Sequence, residues 1–278
     1  MRSFRGFEAV VSPENLWQAW RSFERGKRRR RDVAAWGIDA ERGVLRLSRE
    51  LAEGRWRPGR YRLIRVRDPK RRVVAAAPVR DRVVHHALHQ ILAPWWNRRF
   101  IHHSYACLPG RGSHRALLCF FRRARSHRYV LSLDIARYFY SIDRSILKNL
   151  LFPAFPEPPL RALLQRVLDS GADLYQQPDV AQWLGWTEVG ELGRGLPIGN
   201  LTSQWWGNVY LDGLDQYICR VLGHGTTQRY MDDITLFGND PSELLCHRDT
   251  IAAWLHKNRG LRLKDPDAQP QSTYGSVT

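Results

Sequence analysis

Thr227-Gln-Arg-Tyr-Met-Asp-Asp-Ile-Thr-Leu-Phe237 is the stretch on which the fold turns. Apolar and β-prone residues (Tyr230, Ile234, Leu236, Phe237) flank Met231-Asp232-Asp233, which predicts two short strands with the acidic pair at the bend between them. An aromatic residue followed by any residue and two aspartates is a weak signal alone, since an exposed acidic turn reads the same way. Its surroundings sharpen it. Tyr129-Val-Leu-Ser-Leu-Asp134 reads as a buried strand with a carboxylate at its C-terminal end. Gly195-Leu-Pro-Ile-Gly-Asn200 is a loop by composition. A helix follows from Thr202, with Trp205, Trp206, Val209, Tyr210, Leu214, Tyr217, Ile218 and Val221 at three-to-four spacing and Gly223 as its stop.

Upstream, an amphipathic helix is expected around Pro13 to Phe23, followed by the basic run Arg25 to Arg31. Arg55 to Arg72 alternates Arg with apolar or aromatic residues and breaks at Asp68-Pro69, as a β-hairpin with one cationic face would. Asp81 to Trp96 reads as a helix. His85 and His89 stand four apart there, a spacing that can bind metal, but no Glu follows His85 in the HExxH manner, so helix packing and RNA contact are the better expectation. Pro153 to Trp186, rich in Pro, Gln and Gly, is expected to be a connecting subdomain.

The charge is lopsided. The 278 residues carry a formal charge of +17, which points to a polyanionic partner. Residues 1 to 130 hold 31 Lys or Arg against 10 Asp or Glu, whereas the remaining 148 hold 13 against 17. The polyanion should therefore lie against the first half, with Arg28, Arg29, Arg30 and Arg31 as phosphate contacts. The 43% hydrophobic content is enough for a core and excludes wholesale disorder. Cys107, Cys119, Cys219 and Cys246 stand far apart with no CxxC pair, so they read as reduced, partly buried thiols. No apolar run approaches the ~18 residues of a membrane span, and no signal-peptide segment opens the chain. A cytoplasmic protein without a membrane partner is expected.

Carboxylates that converge from a strand end and a tight turn are what phosphoryl transfer needs. Two divalent metals roughly 3.5–4 Å apart lower the pKa of an attacking 3′-hydroxyl and hold the triphosphate. Asp134, Asp232 and Asp233 supply such a set if their strands are neighbours in one sheet.

Leu131-Ser-Leu-Asp-Ile-Ala-Arg-Tyr-Phe139, Gly195-Leu-Pro-Ile-Gly-Asn-Leu-Thr-Ser-Gln204 and Tyr230-Met-Asp-Asp233 together resemble, in order, the first palm motif, the template and nucleotide loop, and the catalytic hairpin of reverse transcriptases. The resemblance spans roughly residues 50 to 265. Within that class, Ile198-Gly-Asn-Leu-Thr-Ser-Gln204, His103-Ser-Tyr-Ala-Cys-Leu-Pro-Gly-Arg-Gly-Ser-His-Arg-Ala116 and Asp81-Arg-Val-Val-His-His-Ala-Leu88 are similar to the reverse transcriptases of diversity-generating retroelements. His103 and Leu108 depart from that group's usual Asp and Arg.

The resemblance implies roles. Asp134 and Asp232 would be metal ligands, with Asp233 the third carboxylate, the Ile135 carbonyl a backbone ligand and two Mg2+ ions as cofactors, Mn2+ substituting. Phe139 matches the aromatic gate that rejects a 2′-hydroxyl. Lys70 and Arg72, with Arg71 as an alternative in that register, match the residues that clamp the triphosphate. Gly199 matches the glycine that lets the loop backbone approach the incoming base, and Ile198 stands where most relatives have Gln. Leu261-Arg-Leu-Lys264 resembles the strand after the catalytic hairpin, with Lys264 a substitute proton donor to pyrophosphate.

The fold implied is α/β (α+β): right-hand polymerase fingers and palm, with an antiparallel palm sheet backed by helices. The expected segments are a basic N-terminal region and fingers at 1–120, palm at 121–150, fingers again at 151–198 and palm again at 199–278. The thumb is expected to be absent from this chain. The implied function is RNA-directed DNA polymerization of dNTPs from a DNA or RNA primer on an RNA template, error-prone at adenines, with a small basic accessory protein as partner. The alternatives are an antiphage-defence or retron-type reverse transcriptase, or a catalytically silent RNA-binding scaffold.

Overall fold

The computed structural model describes residues 6–274. The segment to Thr278 thus ends outside the described residues. Along the chain come α1 (Phe7–Val11), α2 (Pro13–Glu24), α3 (Arg31–Gly37), α4 (Ala40–Ala52), β1 (Arg62–Val66), β2 (Arg72–Ala76), α5 (Val79–Asn97), α6 (Ser113–Ser126) and β3 (Tyr129–Leu133). Then follow α7 (Tyr138–Ser141), α8 (Arg144–Ala154), α9 (Pro158–Asp169), a 3-10 turn (Leu174–Gln176), α10 (Pro178–Leu184), α11 (Leu201–Arg220), β4 (Thr227–Tyr230), β5 (Asp233–Gly238), α12 (Pro241–Arg259) and β6 (Gln271–Ser272).

The chain divides into two compact units, 1–96 with 144–206, and 97–143 with 207–278. The segmentation expected above cuts instead at 120, 150 and 198.

In the first unit, Ser12 caps α2 by accepting from the Asn15 amide at 3.2 Å, and Pro13 fills the first helical position, where its missing N–H costs nothing. The basic hairpin forms, but later than expected. Its strands are β1 and β2, paired antiparallel from Arg62 with Ala76 to Val66 with Arg72, and Arg55 to Arg60 stays outside the sheet. In β2 Val73 and Ala75 are buried between more exposed neighbours, the period of a half-buried strand. His85 is buried at 2% exposure, as helix packing requires. His89 packs edge-on against Trp205.

The second unit holds an antiparallel four-stranded sheet in the order β4-β5-β3-β6. Helix α12 packs on β3 and β5 and α6 on β4, which is the helix-backed antiparallel sheet that was expected. Asp240 caps α12 by accepting from the Ser242 amide, and Gly260 ends it in the left-handed region at φ 61°. Leu261 to Lys264 does not form the expected strand. Only an isolated bridge joins Leu263 to Ile135, because the partner chain turns left-handed two residues on, at Arg137, φ 50°. None of the four cysteines is in a disulfide, and Cys107 and Cys246 are exposed rather than half-buried.

Candidate active site

Register decides where the carboxylates go. Leu133 is paired with Ile234, so one step further along this antiparallel pair puts Asp134 across from Asp233. Tyr230 pairs with Asp233 across the β4–β5 turn, which leaves Met231 and Asp232 as a two-residue loop. Asp134, Asp232 and Asp233 thus share one end of three neighbouring strands. A one-residue slip would have turned every side chain to the other face.

The turn is strained. Met231 has φ 59°, a left-handed conformation that costs a residue with a Cβ about 1–2 kcal/mol, and such outliers persist only where their surroundings over-determine them. Here the surroundings are a buried polar network. The Arg229 guanidinium, 1% exposed, donates to the Met231 carbonyl at 2.8 Å, to Asp215 through Nε and Nη2 at 2.8 and 2.6 Å, to Asn208 Oδ1 at 3.0 Å and to Ser104 Oγ at 3.1 Å. Burial pulls this guanidinium down, and the Asp215 charge and hydrogen bonds outweigh it and hold it above its ordinary value. The His103 carbonyl accepts from the Arg229 amide, and the Tyr105 amide donates to the Arg229 carbonyl. The His103 to Leu108 segment therefore flanks β4, and Asn208 ties it to α11 by donating to the Ala106 carbonyl at 2.8 Å.

Close packing joins the turn to Phe139. A Cβ on Gly207 would stand 3.2 Å from Met231 Sδ and 3.4 Å from both Phe139 Cε1 and Tyr138 Cε1, so this glycine lets α11 lie against the strained methionine and both rings. Ile135 is buried. The Lys264 amide donates to the Asp134 carbonyl at 2.8 Å, and its ammonium pairs with Asp134 Oδ2 at 3.0 Å. The donors gathered here are hard oxygens, the set that suits Mg2+ or Mn2+ rather than softer cations.

The remaining candidates lie in the first unit. The Ile198 carbonyl accepts from the Ala75 amide at 2.7 Å, and the Ile198 amide donates to Tyr175 Oη at 3.2 Å. Gly199 has φ 114°. A Cβ there would stand 2.9 Å from Val74 Cγ1 and 3.2 Å from the Ala75 carbonyl oxygen, so what the absent Cβ spares is β2 itself. The hairpin tip leans on Trp183, over whose ring the Arg65, Arg67 and Arg71 guanidinium carbons lie at 5.9, 5.1 and 5.9 Å. Lys70 and Arg72 are exposed.

Arg28, Arg29, Arg30 and Arg31 are all exposed, but Arg28 is already engaged by Glu24 through Nε and Nη2 at 3.1 and 2.9 Å. Arg30 instead lines a cavity of ≈ 280 Å³ together with Lys27, Arg62, Arg82, His86 and the Gly199-Asn200 turn. Burial, then the charges of Arg30 and Arg82, lowers the Lys27 pKa, and burial, then Lys27 and His89, brings His86 to about 4. Asp32 is the one carboxylate in a lining that also holds Lys27, Arg30, Arg62 and Arg82, and such an excess of positive charge around a concave surface suits a phosphate. Sequence reasoning missed this cavity, the Arg229 network and the packing at Gly207.

The family model described as reverse transcriptase (RNA-dependent DNA polymerase) matches residues 64–266. No curated protein matches the chain. Among solved structures, the chain is similar to telomerase from Candida albicans in complex with a fragment of telomeric RNA, at TM-score 0.50 and 12% identity, covering 80% of this chain and 42% of that one. It is also similar to apo telomerase from Candida tropicalis truncated of its C-terminal domain, at TM-score 0.48 and 11% identity over 79% and 51% of the two chains. A third is a partial Cas6-RT-Cas1–Cas2 complex, at TM-score 0.45 and 17% identity over 89% and 42%. The chain thus spans about half or less of the length of these structures.

Proposed function

Because the chain belongs to the reverse transcriptase family of RNA-directed DNA polymerases, we propose that it extends a DNA or RNA primer with dNTPs on an RNA template by two-metal nucleotidyl transfer. The observation that carries this reading is the register that gathers Asp134, Asp232 and Asp233 at one sheet end. The family works with divalent cations. Two Mg2+ ions, or Mn2+ in their place, would be held by Asp134, Asp232 and the Ile135 carbonyl with Asp233 beside them, and would supply an activated 3′-hydroxyl and neutralization of the triphosphate.

The chain's own residues do the positioning. Phe139, seated on Gly207, excludes the ribose 2′-hydroxyl. Lys70 and Arg72, exposed on the hairpin, hold the triphosphate, and Lys264 stands by as a proton donor to pyrophosphate. The basic cavity and Arg29 to Arg31 hold RNA phosphates. Gly199 and Ile198 present the loop to the nascent base pair. No helix among the described residues is long and apolar enough to cross a membrane, and the reading places the enzyme in the cytoplasm.

Within the family we favour a diversity-generating retroelement enzyme, error-prone at adenines and working with a small basic accessory protein. Its support is the Ile198-Gly-Asn-Leu-Thr-Ser-Gln204 loop. The test is primer extension on poly-rA/oligo-dT with Mg2+ or Mn2+, comparing the wild type with Asp134→Asn, Asp232→Asn and Asp233→Asn. The first two variants should lose extension and keep RNA affinity, and the third should lose less. Residual activity above a few per cent in the first two would remove these aspartates from the reaction.

A further inference from the structure

His224, Glu243 and His247 stand at the far end of the sheet from the aspartates. His224 lies between α11 and β4, where Thr226 meets Phe237 near the end of β5. Glu243 and His247 are four residues apart on α12, a spacing that puts both on one face. One ligand-capable atom from each residue lies within 4.8 Å of the other two. We propose that these three residues bind a single cation of the zinc class at a site separate from the carboxylate cluster.

The hydrogen bonds around the rings leave a nitrogen open on each imidazole. Thr226 Oγ1 donates its only proton to the Phe237 carbonyl at 2.7 Å. Its 3.4 Å contact with His224 Nε2 therefore has the ring as donor, which places the His224 lone pair on Nδ1. A metal-binding histidine that donates its other N–H to an oxygen is the usual outer-shell arrangement. His247 Nδ1 is buried without a hydrogen-bond partner, a state that interiors rarely leave uncompensated. An edge contact between the rings, 4.8 Å between centroids at 69°, explains why they meet. It explains neither the open Nδ1 nor the carboxylate one turn away.

Geometry and donor type agree. Tetrahedral zinc with bonds of about 2.1 Å puts its ligands about 3.4 Å apart, so the three donors need to close by little more than an ångström. Glu243, exposed at the helix surface, has the freedom to do so. Two imidazoles and a carboxylate leave a fourth position for water, and imidazole selects Zn2+, Co2+, Ni2+ or Cu2+ over Mg2+. The cation would fasten α12 to the segment feeding β4, at the foot of the catalytic hairpin.

The test titrates the chelator-treated whole chain with Zn2+ against a chromophoric chelator, with excess Mg2+ to occupy the hard-oxygen site. One equivalent should bind, and Co2+ in its place should give the visible absorption of a tetrahedral site. Glu243→Gln, at an exposed position, and His247→Gln should each weaken Zn2+ binding at least tenfold. Asp134→Asn with Asp232→Asn should abolish extension and keep the full equivalent. The proposal is overturned if the wild type binds Zn2+ no better than Glu243→Gln, or if the aspartate double variant loses the equivalent.

Discussion

Lys264 Nζ donates to Asp134 Oδ2 across 3.0 Å, with the two side chains 57% and 35% exposed. A cation on Asp134 has to compete with this ammonium. An ion pair so open to solvent is worth about 0.2–1 kcal/mol. Lys264→Met should therefore lower the Mg2+ concentration for half-maximal extension by roughly 1.5- to fivefold. An unchanged Mg2+ dependence would mean that the pair is not made in the working enzyme.

Arg229 and Asp215 are a different kind of pair, at 1% and 2% exposure. Removing one partner strands the other charge in the core. Asp215→Ala should lower the unfolding free energy by about 3–5 kcal/mol, measured by urea denaturation. A loss under about 1 kcal/mol is what a solvated pair would give, and it would count against the network as the brace of the Met231 turn.

If Phe139 is the sugar gate, Phe139→Ala should let ribonucleotides into the product while dNTP incorporation continues. Alkaline cleavage of the extended primer measures this directly. Continued full rejection of rNTPs would place discrimination elsewhere.

The basic run should divide in two when tested singly. Arg30→Ser should flatten the dependence of log K for RNA on log salt by roughly 0.7–0.9, the share of one phosphate contact. Arg28→Ser should change it less, since Glu24 already holds that guanidinium. Equal slopes for the two variants would argue that the cavity beside Arg30 does not take a phosphate.

If the Ile198 loop meets the incoming nucleotide as proposed, Ile198 offers only apolar contact where a Gln amide could hydrogen-bond. One missing hydrogen bond is worth about 0.5–1.5 kcal/mol, or roughly a two- to tenfold loss of selectivity. Ile198→Gln should accordingly lower misincorporation at template adenines more than elsewhere. Sequencing of cDNA made by both versions on one RNA decides this, and equal adenine error rates would clear Ile198 of the effect.

The β4–β5 hairpin, β3 and α11 are legible in the sequence because their apolar period and their end residues agree. The aspartates follow from that register. Arg229 is not legible, since one arginine among 44 Lys and Arg carries no signal until the fold places Asp215 and Ser104 beside it. The basic cavity is built from Lys27, Arg30, Arg62 and Arg82, which only tertiary packing gathers. Gly207 did leave a trace. A glycine inside a helical pattern costs about 1 kcal/mol against alanine, so its presence among Trp205, Trp206 and Val209 is a hint of close packing. The Leu261 to Lys264 segment is half legible: it pairs as a strand would at Leu263 with Ile135, but the partner chain turns left-handed at Arg137, φ 50°, and the ladder goes no further.

The two-residue loop at Met231 and Asp232 also limits how the gene for this chain can drift in length. With side chains alternating sides at every step, a single codon gained or lost within 227–238 or 129–134 would send one aspartate to the opposite face while leaving composition and charge almost untouched. Substitutions outside Arg229 and the aspartates keep that alternation, but insertions and deletions do not. An extra residue beside Gly110, exposed at a turn with open space around it, meets no such arithmetic. Tags, barcodes and split points therefore belong in turns of that kind, and alignments of related sequences should run free of gaps through both strands that carry the aspartates.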